Sequence, residues 1–473
     1  MRIFYSAGLL MTLVLSSGCT TLGNLNSNVP PNIQICLQVF EEIDLATKEA
    51  RRGDAAYARI ANFPYLRVDR YTASFKNDSA KNLPALIEKM RLLDMEARRF
   101  ELTDRRDLQR LESCGKQLQA YDLQDTLRLR RLVDSIAVPD DYVTAYRTFG
   151  AYALTKLPFA AGIKRLETER LKQFSLNTDQ EKLQHNNTER IVYALKQSPD
   201  ARLNEFPIEA EIEKLIHTHA PIFVISKASN ADMPGTIEWQ DSEIGVNTAK
   251  PVVYTQLTFT RYGEQSLRQL VYTIWFSERP ATKGALLDLL AGKLDGLTVR
   301  VTLAPNGEAL MYDSIHPCGC YHQFFPTAKA TLKPVPTGLN EWAFVPRRLP
   351  AWQSGDRLLL HVASGSHYID QADLVSKSNS ALGIFALSKV SLNPVSYDTL
   401  RVLPTADGGY RSAFDPRGFI RGSERLESWL FWPMGIANAG AMRQWGRQPT
   451  AFVGRRHFDD PRLLEERFVF DLH

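Results

Sequence analysis

The chain has 473 residues, with 57 lysines and arginines against 53 aspartates and glutamates, for a formal net charge of +4. That near balance gives no global attraction to nucleic acid, and the length allows two or three domains with substantial cores. Beyond the N-terminal signal, no apolar run reaches the eighteen residues needed to cross a bilayer.

In chain order the first element is a secretory signal. Arg2 is followed by an apolar run from Ile3 to Leu15 and the small residues Ser16-Ser17-Gly18, a pattern too short for a spanning helix. With Cys19 placed directly after Gly18, the segment resembles the signal of bacterial lipoproteins. The resemblance implies removal of residues 1–18, lipidation of Cys19 and retention at the outer membrane, because Thr20 rather than an aspartate follows the cysteine. It implies a membrane partner, held through acyl chains at the N-terminus. It covers residues 1–20 and carries nothing about activity. Residues 19–32, with Gly, Asn, Ser and the Pro30-Pro31 pair, read as a flexible tether.

Residues 33–204 read as a helical domain, an antiparallel bundle. Ile33, Cys36, Leu37, Phe40 and Ile43 recur at three-to-four spacing, as do Leu83, Leu86, Ile87, Met90, Leu93 and Ala97. The arginine pairs Arg98-Arg99 and Arg105-Arg106 have acidic neighbours and suit solvated faces. Cys36 and Cys114 lie on apolar helical stripes. In an oxidising compartment they would bridge two helices and stabilise by roughly 4 kcal/mol; the other reading is two buried thiols acting as small hydrophobes.

Residues 205–473 read as a β-rich domain, giving an α+β chain. After a helix over Pro207 to His219 come candidate strands at Pro221–Ser226, Val252–Thr260, Leu267–Phe276, Leu297–Leu303 and Leu310–Ile315. The Pro305-Asn306-Gly307 turn should pair the last two as a hairpin. Further strands are expected at Trp342–Val345, Arg357–Ala363 and Ile384–Val390. Short strands with few intervening helices imply a mainly antiparallel sheet or sandwich, with an irregular tail from Ser412 wrapped over it.

The chemistry-bearing residues concentrate in the stretch from Met311 to Thr327. His316, Cys318, Cys320 and His322 alternate, so on a strand they share a face, but successive same-face positions are roughly 6.5 Å apart. One ion can take more than two of them only if the chain folds back, which Pro317 and Gly319 permit. His361 and His367 are the nearest outside helpers. Three readings stay open. Thiolate and imidazole ligands suit zinc or copper, with hydrolysis available to a three-ligand site. Cys318 and Cys320 suit a strained redox pair. The turn is otherwise structural. A fourth variant makes Cys318 or Cys320 a nucleophile activated by His316 or His322, with Asp313 orienting the base. Asp288 and Asp295 are candidate acids or bases, though turn and cap roles are commoner. His217 and His219, at a helix end, suit capping better than metal.

In the tail, Arg425, Arg443 and Arg447 among interleaved tryptophans suit an anion site, or else arginines that satisfy irregular backbone. His457, Asp459 and Asp460 fit a metal or, equally, a helix start. The sequence leaves enzymatic activity undecided. Its leading expectation is a lipid-anchored periplasmic protein with a Cys/His metal site. The alternative is a non-enzymatic envelope protein whose helical half binds a protein partner.

Overall fold

The computed structural model describes residues 29–176, 189–196, 207–282, 284, 288–376 and 387–472. The signal segment and Cys19 lie outside the described residues, as does part of the strand expected at Ile384–Val390.

Helix α1 (Pro31–Glu49) starts with a proline in its first turn and buries Ile33, Cys36, Phe40 and Ile43 along one stripe. A hairpin follows, β1 (Ala58–Ile60) and β2 (Phe63–Val68), then a single turn α2 (Arg70–Ala73) capped by Asp69. Next come α3 (Ser79–Glu101), α4 (Arg105–Asp122) and α5 (Thr126–Ser135). Asp104 and Asp125 cap the last two by accepting backbone N–H bonds. These helices do not form a bundle by themselves. Tyr65, Leu66 and Val68 of β2 share one core with Phe40, Ile87, Met90 and Leu111. The cores of α1 and α4 are joined by a Cys36–Cys114 disulfide, with Cα atoms 5.0 Å apart. The hairpin also buries Arg67, whose guanidinium bonds to Asp94 at 2.9 Å and Glu101 at 2.6 Å. Two helices complete this half, the short α6 (Thr144–Phe149) and the 25-residue α7 (Tyr152–Leu176), the second packed on the C-terminal tail rather than on α1 to α5.

Strand β3 (Glu189–Leu195) falls inside the stretch expected to be helical. The helix α8 (Pro207–His219) follows, then β4 (Ile222–Lys227), the side hairpin β5 (Thr236–Gln240) and β6 (Glu243–Asn247), and β7 (Val252–Tyr262) to β8 (Gln265–Arg279). The chain continues through β9 (Gly292–Leu303), β10 (Ala309–Ile315), β11 (Gln323–Pro326), β12 (Ala330–Leu332), β13 (Arg357–Val362), β14 (Ile369–Val375) and β15 (Ser388–Ser396). Ten of them build one sheet in the order β11-β10-β9-β8-β7-β15-β3-β4-β13-β14. It is mostly antiparallel, with parallel pairing where β15 meets β7 and β3 and where β4 meets β13. The turn at 305–307 joins β9 to β10 as expected, whereas Trp342–Val345 is irregular.

Both faces of the sheet are covered. On one, Tyr272, Ile274 and Phe276 of β8 meet Leu297, Val299 and Val301 of β9, with Phe174 of α7 and Leu215 of α8 against them. On the other, Trp275 packs with Leu400, Phe414, Ile420 and Met442. The tail therefore supplies half of a core, which is why arginine-rich irregular chain lies flat on strands.

Candidate functional site

Strand β10 runs into the turn at residues 316–322 and returns as β11, so that Ser314 faces Gln323. Gly319 donates to the His316 carbonyl at 2.8 Å and His316 donates to the Cys320 carbonyl at 3.0 Å. Gly319 has φ +94°, and a Cβ there would lie 2.3 Å from the Pro449 carbonyl oxygen, so only glycine fits. The reversal expected at this glycine is present, but it does not gather the imidazoles. His316 turns to β9 and His322 to β10, and among the described residues no group of three or more His, Cys, Asp or Glu stands ready to share an ion.

Each imidazole instead meets a buried carboxylate. Asp295 accepts from His316 Nδ1 at 3.0 Å and from His367 Nδ1 at 2.8 Å. His367 lies flat on Phe276, 3.9 Å between ring centres, and its Nε2 is 3.4 Å from Asp232. Asp232 in turn accepts backbone N–H bonds from Ala228 and Ser229. Burial alone would raise Asp295, yet the imidazoles and Arg425 outweigh it and hold the carboxyl well below its ordinary range. Burial pulls His367 down, but the two aspartates reverse that and raise it. His316 is left lowered, burial prevailing. The chain Asp232–His367–Asp295–His316 thus favours a proton on the imidazole between the two carboxylates and disfavours one on the imidazole at its end.

The second unit is Arg300–Asp313–His322. Arg300 grips Asp313 with Nε at 3.0 Å and Nη2 at 2.5 Å, and Asp313 accepts from His322 Nε2 at 2.9 Å. This fixes the His322 proton on Nε2 and leaves Nδ1 a bare lone pair, buried and without a hydrogen-bond partner among the described residues. Burial drags His322 down to about 3, so Nδ1 remains an acceptor at neutral pH.

His322 lines a cavity of about 550 Å³ together with Cys318 and Cys320. Phe159, Ile163 and Leu166 of α7 form one wall; Phe344, Phe431 and Phe452 form another. Two of its acids are shifted upward: burial raises Glu341, and raises Glu427 to about 7. The two cysteines are unbonded, with Cys320 N–H donating to Cys318 Sγ at 3.4 Å. The Cys318 contact and burial push the Cys320 thiol well up, so it stays protonated.

The other candidates are scattered. His361, on β13, is lowered to about 4 by burial and the nearby charge of Arg190, and it joins no cluster. Arg425 donates to the carbonyls of Leu290 and Leu294, and Arg443 to those of Ala437 and Arg447, so both satisfy irregular backbone. Arg447 pairs with Asp141 at 2.7 Å. Asp288 caps its own loop, accepting from the Thr282 and Leu290 N–H groups. His219 bonds to the Gly307 carbonyl at 3.0 Å, while His217 is 4.0 Å from Glu213, so the pair diverges. His457 donates to the Asp140 carbonyl and its N–H bonds to Asp460. Sequence reasoning missed Asp232, Arg300 and Glu341. Arg300 and Asp313 face each other across β9 and β10, a charge pair readable once the hairpin register is known; nothing local marks the others.

Comparison with protein-family models, curated proteins and solved structures found no match to this chain.

Proposed function

We propose that this is a lipid-anchored envelope protein that binds a small, mainly apolar molecule in the cavity beside the Cys318-Gly319-Cys320 turn. The observation that carries the reading is the mainly apolar cavity of about 550 Å³, to whose lining His322 contributes a buried imidazole with an Nδ1 that has no hydrogen-bond partner among the described residues. A buried acceptor left without a partner costs about 1–3 kcal/mol, which a ligand hydroxyl or N–H would recover. The carboxyl of Glu427, raised to about 7, adds a donor for a ligand oxygen when protonated, and the aromatic walls supply area. The anchor at Cys19 rests on the signal alone.

Gly162 gives the test. It lines the cavity, and a Cβ there meets nothing within 4 Å. Gly162→Trp should fold normally and fill the space. Titration with a neutral fluorescent naphthylamine should give saturable one-to-one binding to the wild type and a loss of at least about tenfold in affinity in the variant. Equal binding by both proteins sinks the proposal.

A second reading keeps zinc or copper, since His322, Cys318 and Cys320 line the same cavity. Stoichiometric metal in protein purified without chelator, lost in His322→Ala, favours it over the apolar ligand.

A further inference from the structure

From Thr144 to Leu166 the chain carries four cations (Arg147, Lys156, Lys164 and Arg165) and no carboxylate. Over the same stretch it exposes apolar side chains: Phe149 is 82% exposed, Leu154 70%, and Leu157 and Leu166 are open as well. The tail adds Trp429, 81% exposed, with Leu430 and Trp432. The two segments form one body. Tyr146 meets Trp432 edge-on at 6.2 Å, Phe159 meets Phe431 at 5.6 Å, and Arg147 donates to the Met434 carbonyl at 2.8 Å. Burying such groups against water-facing chain would be expected of a folded protein left to itself; here they stand out.

We infer that this face, α6 and the first half of α7 with Trp429 to Trp432, docks on an anionic lipid surface. Tryptophan, phenylalanine and leucine suit the boundary between headgroups and acyl chains. Lys164 is exposed on α7 and faces the anionic surface, while the exposed Arg165 pairs with Glu169 at 3.0 Å. A protein partner would fit the apolar groups equally well, but from Thr144 to Arg170 five cations outnumber two carboxylates, Glu167 and Glu169, and that excess favours lipid headgroups. Leu166 and Leu430 also line the cavity, so the docked face and the cavity rim are continuous. The inference stands whether or not the cavity binds a ligand.

The test uses the full chain reconstituted on vesicles of phosphatidylcholine with phosphatidylglycerol, with bromine on the acyl chains to quench tryptophan. Strong quenching is expected, falling in pure phosphatidylcholine and in high salt. Trp429→Ser with Trp432→Ser should lose most of it. Leu154→Ser with Leu157→Ser, which keeps every tryptophan, should also reduce it while melting is unchanged. Wild-type fluorescence untouched by brominated lipid, or quenching that neither pair of substitutions alters, would overturn the assignment. Protection of these side chains by a soluble protein alone, with no vesicle effect, would overturn it too.

Discussion

Asp295 holds two imidazoles and a guanidinium, and its neighbour Glu427 is raised to about 7 by the same burial that makes such charge pairing necessary. Breaking a buried pair of this kind leaves a charge without compensation, so the relay is a specificity device more than a source of net stability. Glu427 gives a cleaner prediction. Its folded pKa, about 7, lies above its ordinary 4.5. The native state therefore binds more protons than the unfolded state between those values, and stability falls as pH rises through that window. The penalty above pH 7 is on the order of 3 kcal/mol. Glu427→Gln should leave unfolding free energy unchanged near pH 4.5 and raise it by up to that amount at pH 8, as measured by urea titration at both pH values. A difference that is the same at both would show that Glu427 ionises freely.

Among the elements, the turn at 316–322 shows what alternation can and cannot tell. The spacing of His316, Cys318, Cys320 and His322 placed them together, and Gly319 did reverse the chain. Where each ring points depended on Asp295 and Asp313, carried by strands whose register the local sequence does not print. The helical stripe holding Cys36 and the one holding Cys114 were both legible; their bridging was one of two readings, since the contact of the two helices is visible only in the structure. The hairpin β1–β2 was not legible, because Pro64 and Arg67 interrupt its alternation. The disulfide spans a sequence separation of 78 residues. Replacing both cysteines by alanine should cost about 4 kcal/mol on the loop-entropy account. Denaturant melts of the double variant measure it, and thiol counting on the unfolded wild type should find Cys318 and Cys320 free while these two are not.

At the scale of the molecule, the two halves are tied through the tail. Arg401 is buried and bonds to Asp54 at 2.6 Å, to Asp398 at 2.9 Å and to Glu96 at 3.2 Å, with its guanidinium 3.7 Å from the Phe100 ring centre. Arg70 and Arg447 repeat the pattern on Asp459 and Asp141. Arg401→Met strands the buried Asp54 and should destabilise by about 3–5 kcal/mol. Hydrogen exchange should show α1 to α5 opening independently of the sheet in that variant and together with it in the wild type. The α+β class and most strands of the meander from β7 to β10 were readable from period-two runs and the Pro305-Asn306-Gly307 turn. The pairing of β15 between β7 and β3 was not, since contacts so distant in sequence leave no local trace.

That same strand has a temporal implication. β15 is the last of the ten along the chain, yet it is the keystone between two arches, residues 252–326 and the group made by β3, β4, β13 and β14. Until it inserts, each arch has a bare rim, at β7 and at β3, that a neighbouring unfolded chain can mistake for its own partner. The protein's slowest and most accident-prone moment should be the insertion of a single nine-residue wedge.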